Sequence, residues 1–277
     1  RAVCRVRGLG NAGKMMLEML DRIKEIYAYR EMIVSLVKRD LKGRYKGSVL
    51  GFFWTFLNPL LQLFVYTLVF STIMRSGIED YYLFLFVALI PWIFFSTSLS
   101  GGANCILAQQ DLVKKIYFPR EVLPISFVTS QFVNMLLSFI VIFAVLAGTG
   151  HSLRPAAVLC LPPVMAVEYL LALGFTMVMS AATVYVRDLE YILGIVIMAW
   201  QFLTPVLYPL DQVPKEVEWI FMANPMTNVI VSYRDILYYE RMPQLGTLLS
   251  ATVVGMVLLA AGWLLFDRLQ KRFAEEL

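Results

Sequence analysis

Neutral hydrogen-bonding side chains and aromatic rings recur at helical spacing inside apolar stretches of this sequence. One stretch carries Trp54, Thr55, Asn58, Gln62, Tyr66 and Phe70. Others carry Ser130, Gln131, Asn134 and Ser138; Tyr169, Thr176, Ser180 and Thr183; and Trp200, Gln201, Thr204 and Tyr208. Such groups exchange hydrogen bonds with hydroxyls and present ring faces to sugar rings. They suit a large polyhydroxylated cargo, with Trp54, Asn58, Gln62, Tyr66, Phe70, Trp200, Gln201, Thr204 and Tyr208 as the candidate path. Glue between helices is the competing reading. Ion or proton traffic needs rings or relays of charge, and Glu168 is the one ionisable group expected within a span. A hydrogen bond from Glu168 to a neighbouring span is favoured over a cargo contact. His151 is the sole histidine, and the three cysteines at 4, 105 and 160 form no CxxC. Neither a metal site nor a disulfide framework is expected. Catalytic residues are expected to be absent too, because the carboxylates are scattered and His151 has no acidic neighbour. That weighs against a membrane-embedded glycosyl- or acyltransferase.

The elements that position these groups follow from composition. Of 277 residues, 59% are apolar or aromatic and 16% are charged, against about 45–50% and 25% in soluble chains. Mean hydropathy is +0.70. A soluble enzyme, a nucleic-acid module and a disordered chain are all disfavoured. The expected class is an all-α integral membrane protein with six spans: 51–74, 82–100, 123–148, 157–180, 191–207 and 248–266. Each approaches the roughly 20 residues that cross a bilayer core. Lys and Arg number nineteen on the side bearing both termini and five on the other. This asymmetry places both termini in the cytoplasm. No long apolar run marks residues 1–49 as a signal peptide.

Three regions fall outside the spans. Residues 20–46 combine an apolar stripe with many basic residues, which predicts a cytoplasmic helix lying in the membrane interface. Within it, Arg39, Lys42, Arg44 and Lys46 would attract anionic headgroups. Residues 208–247, on the outer side, hold short apolar pieces broken by proline. They predict re-entrant gate helices, with Pro209, Trp219, Asn224 and Pro225 as gate residues. Residues 1–19 predict a flexible basic extension. Its Gly8-Leu9-Gly10-Asn11-Ala12-Gly13-Lys14 matches GxxxxGK, but Met15 replaces the magnesium-binding hydroxyl and no nucleotide-binding domain follows.

Several motifs carry a resemblance. Arg39-Asp40-Leu41-Lys42-Gly43-Arg44-Tyr45-Lys46-Gly47-Ser48-Val49-Leu50-Gly51, then Trp54 and Asn58-Pro59, resembles the opening of type-2 ABC exporter permeases for polysaccharides and teichoic acids. Lys115-Ile116-Tyr117-Phe118-Pro119-Arg120-Glu121-Val122-Leu123-Pro124, Arg187-Asp188, Thr204-Pro205-Val206-Leu207-Tyr208-Pro209, Asn224-Pro225-Met226-Thr227 and Tyr233-Arg234 extend it, over roughly residues 30–270. The resemblance implies a permease domain over 47–277 in the bacterial plasma membrane. It implies a homodimer and two separate ATPase subunits, which hold ATP and Mg, with no cofactor on this chain. ATPase coupling would run through the 101–122 loop, at Asp111, Lys114, Lys115, Tyr117, Arg120 and Glu121, with Arg187 and Asp188 in the next loop. The implied cargo is an undecaprenyl-diphosphate-linked glycopolymer. Wall teichoic acid is favoured over O-antigen or capsule-type polysaccharide, and a drug or small-lipid exporter would share the architecture. Membrane lipids are the other contacts, and no nucleic-acid partner is expected.

Overall fold

The computed structural model describes residues 22, 24–44, 46–73, 77–151 and 153–276. The extension 1–19 lies outside the described residues, as do Leu20 and Ile23 of the interfacial stripe. Among the described residues, all regular structure is helical.

The basic amphipathic stretch forms α1 (Arg30–Gly43), which buries no residue completely. Its Met32, Ile33 and Leu36 rest on the core while Lys38, Arg39 and Lys42 stay exposed. The next helix, α2 (Trp54–Thr67), opens from a 3-10 turn and continues as a π-helical segment, Leu68–Ile73. Pro59 is accommodated inside it. Then follow α3 (Tyr81–Ala103), the short α4 (Gln110–Lys115), α5 (Val122–Thr149), the single turn α6 (Pro155–Val158) and α7 (Leu161–Tyr185). The chain ends with α8 (Leu189–Phe202), α9 (Glu218–Ala223), α10 (Pro225–Leu237), α11 (Leu245–Leu269) and α12 (Phe273–Glu276).

Among the described residues, five helical stretches are long and apolar enough to cross a membrane; they contain α2, α3, α5, α7 and α11. The expected fifth span, 191–207, differs. Its helix, α8, has 14 residues and rises only ~21 Å, short of the ~30 Å hydrocarbon core. Pro205 lacks an amide donor and disfavours helical geometry at Thr204, so the helix stops at Phe202 and the chain proceeds without regular structure.

Helix α3 is apolar around its whole circumference, which suits a helix enclosed by others. It is buried along its length, from Tyr81 to Ala103. By contrast α2 buries only Thr55 and Pro59, and α8 only Leu193. Helices α7 and α11 meet backbone to backbone. A Cβ at Gly174 would lie 2.8 Å from the Leu259 nitrogen, and one at Gly262 2.7 Å from the Gly174 oxygen. Small residues at membrane-helix crossings permit this approach.

Contacts sort the helix ends into two faces. Arg22 reaches Asp267, and the Tyr185 hydroxyl donates to the Leu269 carbonyl at 2.7 Å. These join the N-terminal region and the chain's end on the face that bears α4. On the opposite face the Tyr238 hydroxyl donates to the Glu79 carbonyl at 2.6 Å and Tyr81 to the Leu207 carbonyl at 2.8 Å.

Candidate functional site

The proline-rich region after α8 poses a backbone problem. Non-helical carbonyls at membrane depth need donors from protein. Seven consecutive carbonyls find them. The Tyr208 hydroxyl donates to Phe202, the Asn224 amide to Leu203 at 3.1 Å, and the Val206 N–H to Thr204 at 2.7 Å. Arg234 donates to Pro205 at 2.5 Å, to Val206 at 2.7 Å and to Tyr208 at 3.3 Å. Tyr81 takes Leu207. Arg234 is only 3% exposed, and its guanidinium lies 3.6 Å from the centroid of the Phe84 ring. A planar fork with several fixed donors is the group that can serve three carbonyls at once.

Asn224 is the second joint. Its oxygen accepts from Trp200 Nε1 and from the Met226 N–H, both at 3.0 Å. Its amide donates to the Leu203 carbonyl and to Thr204 Oγ1, the latter at 2.8 Å. Asn224 thus caps α10 and fastens it to the end of α8, while Pro225 occupies the first helical turn, where no N–H is needed. Within residues 208–247 lie a 3-10 turn, Leu210–Gln212, and the short helices α9 and α10, which part at Asn224-Pro225.

A third joint lies deeper. Tyr233 on α10 donates to Glu168 on α7 at 2.7 Å, with both side chains completely buried. Tyr233 also packs on Phe139 of α5. Glu168 does take a hydrogen bond, but its partner sits on α10 and not on a neighbouring span. Glu168→Gln keeps the acceptor and should unfold within about 1 kcal/mol of wild type, whereas Glu168→Leu strands the phenol and should cost about 1–3 kcal/mol. Thermal unfolding in detergent reads the difference; equal losses in the two variants would contradict this role.

The candidate path residues divide. Trp54 and Asn58 are exposed and line a cavity of about 120 Å³ between α2, α3 and α5, together with Gln131, Asn134 and Ser138. There the buried Asn134 Oδ1 has no hydrogen-bond partner among the described residues. Gln62 is half-buried and donates to Asn58 at 3.3 Å. Tyr66 and Phe70 turn towards the core, and Phe70 stacks on Tyr81. Steps of four residues drift around a helix, because such rows are inclined to its axis; the expected stripe therefore winds from an open face to a packed one. Phe70 and Tyr208 meet in a second cavity, of about 560 Å³, with Val213, Pro214 and Phe221.

The Trp200, Gln201, Thr204 and Tyr208 stripe requires correction. Because α8 ends at Phe202, the four do not share a helical face. Trp200 packs edge-on to Phe95 and Phe175 at 5.2 Å, and Thr204 is fully buried. Gln201 and Tyr208 are half-buried.

On the opposite face, Asp111, Lys114, Lys115 and Tyr117 are exposed, Tyr117 at 87%. Arg120 and Glu121 do not join them. Glu121 is 1% exposed, and Arg120 donates to the Gln270 carbonyl. Arg187 and Asp188 are exposed, and nearby Glu190 accepts from Asn104 at 3.3 Å. In the basic cluster, Arg44 is bound to Asp40 at 3.0 Å and to Gln131 at 3.1 Å, and Ser130 donates to the same Asp40. Arg44 therefore moors α1 to α5, while Arg39, Lys42 and Lys46 are exposed. Of the candidate gate residues, Trp219 is exposed at 69% while Pro209 borders a cavity with Arg234.

Residues 31–238 match the family model described as ABC-2 type transporter. The chain belongs to that family. Among relatives of this ABC-2 transporter chain is the O-antigen export system permease protein RfbA of Myxococcus xanthus. It is 39% identical over 94% of this chain and the whole of that protein. A Klebsiella pneumoniae protein of the same description is 34% identical over 88% of this chain and 94% of its own length. The polysialic acid transport protein KpsM of Escherichia coli is 22% identical over 73% of this chain and 80% of its length.

Reading the sequence missed Arg234 as a site residue, although Tyr233-Arg234 formed part of the resemblance. The available signal was an Arg-Asp pair interrupting an apolar helix shortly after a proline-broken segment. Tyr81 and Gln270 gave none, because their partners lie 126 and 149 residues away.

Proposed function

We propose that this ABC-2 transporter chain is the permease subunit of an ATP-driven exporter of O-antigen-type polysaccharide. The observation that carries the reading is its 39% identity to the Myxococcus xanthus O-antigen export permease across that protein's full length. The sequence motifs alone leaned towards wall teichoic acid; relatives named for O-antigen and polysialic acid favour a polysaccharide instead. ATP hydrolysis belongs to two partner ATPase subunits, and the permease works as a two-fold homodimer in the bacterial inner membrane. The α4 face, with both termini, is cytoplasmic, in keeping with its excess of Lys and Arg. Exposed Lys114, Lys115 and Tyr117 dock the ATPase, with Arg187 and Asp188 beside them. The weakly packed α2 and α8 face the second copy, α8 with the segment after it serving as the fifth of six spans.

In this reading Arg39, Lys42 and Lys46 receive the diphosphate of an undecaprenyl-linked polymer at the cytoplasmic leaflet. The polymer then slides past Trp54, Asn58 and Gln62. Tyr66, Phe70, Gln201 and Tyr208 continue the path outward, and α9 and α10 gate it, with Pro209 and Trp219 at the mouth.

The test is complementation. The chain is expressed with its companion ATPase in cells that make the matching lipid-linked polysaccharide but lack its exporter. Polysaccharide should reach the cell surface, detected by antibody on intact cells. Polymer that remains inside despite normal insertion of both subunits would contradict the reading.

A further inference from the structure

The segment joining α4 to α5 has two sides. Lys114, Lys115, Ile116 and Tyr117 point outward, whereas Phe118 and Glu121 are buried, at 5% and 1% exposure. What grips the inward side is the end of the chain. Gln270 Nε2 donates to Glu121 Oε1 at 2.9 Å and to Asp267 Oδ1 at 3.1 Å. Arg120 donates to the Gln270 carbonyl, and its guanidinium lies 5.8 Å from the centroid of the Phe273 ring. Phe273 is completely buried and packs edge-on to Phe266 at 5.6 Å. Arg22 adds a 2.9 Å bond to Asp267 and approaches Glu121 to 4.0 Å.

Asp267 belongs to α11 itself, and Gln270 and Phe273 follow it directly. We propose that the 267–273 segment is a clamp that carries displacement of the exposed tip into α11, so that the last span moves with the ATPase. Helices α3 and α5, which flank the tip in sequence, would otherwise be the only spans driven. The clamp gives α11 its own attachment through Glu121 and Arg120. From there the Gly174–Gly262 crossing holds α7 to α11 at backbone contact. Asn228 donates to Ser250 at 2.9 Å, and Tyr233 to Glu168, so α10 follows. Glu121, Gln270 and Phe273 are positioning residues in this scheme and touch neither nucleotide nor cargo.

The inference rests on the exporter reading only in needing an ATPase partner, so its test does not use polysaccharide. The permease–ATPase complex is reconstituted in nanodiscs, with native cysteines replaced by serine and an environment-sensitive fluorophore on Leu249→Cys. Leu249 is 63% exposed, at the far end of α11 from the clamp. Adding ATP should change its fluorescence in the otherwise wild-type complex. In Gln270→Ala and Phe273→Ala the change should fall at least fivefold, while ATPase copurification and hydrolysis stay within about twofold. Glu121→Gln retains the acceptor oxygen and should keep the signal; Glu121→Ala should lose it. Should the alanine variants fail to fold, a second set decides. Gln270→Glu faces two carboxylates and should lose the signal, and adding Glu121→Gln restores a hydrogen bond of reversed polarity and should recover at least half of it. An undiminished signal in Gln270→Ala and Phe273→Ala, or no recovery in the double variant, would overturn the clamp. A parallel fall in copurification would also overturn it, because the segment would then belong to the docking surface. Failure of the exporter reading is seen separately, in complementation with the unmodified chain.

Discussion

Replacing Arg234 by lysine is expected to lower the thermal unfolding midpoint by about 10 °C and to abolish export. Arg234 supplies the donors for the carbonyls of Pro205, Val206 and Tyr208. A lysine keeps the charge but replaces a fixed fork by one ammonium on a flexible stem. At least two carbonyls lose their donor, and hydrogen bonds to charged groups contribute about 1.5–3 kcal/mol each. The loss is then about 3–5 kcal/mol, a large share of the 5–15 kcal/mol that holds a typical protein folded. At roughly 2–4 °C per kcal/mol for a chain of this size, a shift near 10 °C follows. Arg234→Met removes the cost of burying a charge, yet it strands three carbonyls and should be no better. The measurement is thermal unfolding in detergent beside surface polysaccharide in complemented cells. A lysine variant as stable and as active as wild type would show that water, not the guanidinium, satisfies the break.

The importance of Arg234 bears on what a sequence can disclose. Apolar runs announce the spans because a bilayer imposes a length, and α3, α5, α7 and α11 lie close to where those runs do. Pro205, Pro209, Pro214 and Pro225 likewise announced that 203–225 could not be one helix. The partners of Arg234 were hidden, because they are backbone carbonyls 26 to 29 residues earlier in the chain, and in one case, Phe84, 150 residues earlier, and every residue has a carbonyl. Arg120 and Glu121 illustrate a different limit. A charge in a basic loop reads the same whether it meets solvent, a partner or the chain's own end. Only burial tells them apart, and Glu121 is buried. Arg44 was grouped with its basic neighbours for the same reason, although Asp40 one turn away neutralises it. The span-5 stripe failed on geometry, since it extended helical spacing past the proline that ends the helix.

That division reshapes the candidate path. Trp54, Asn58 and Gln62 lie on a helix with little buried surface, and a second copy can bring the same face opposite across a two-fold axis. Ring faces and neutral amides bind sugars without fixing one register, which lets a linear polymer advance. Trp200 and Thr204 are tied to Asn224 and hold the outer helices in place instead. On the proposed reading the polymer would touch α2 and leave Thr204 dry.

Thiol accessibility tests this most directly. Single cysteines replace Asn58, Gln62 or Thr204 in a chain without other cysteines, in complex with the ATPase and supplied with lipid-linked polysaccharide. Each is exposed to a water-soluble, bulky thiol reagent during ATP turnover. Cysteine at 58 and 62 should react, and the adducts should reduce export at least tenfold; cysteine at 204 should stay unmodified and export normally. Unreactive cysteines at both 58 and 62 in every nucleotide state, or adducts there that leave export intact, would contradict a path along α2.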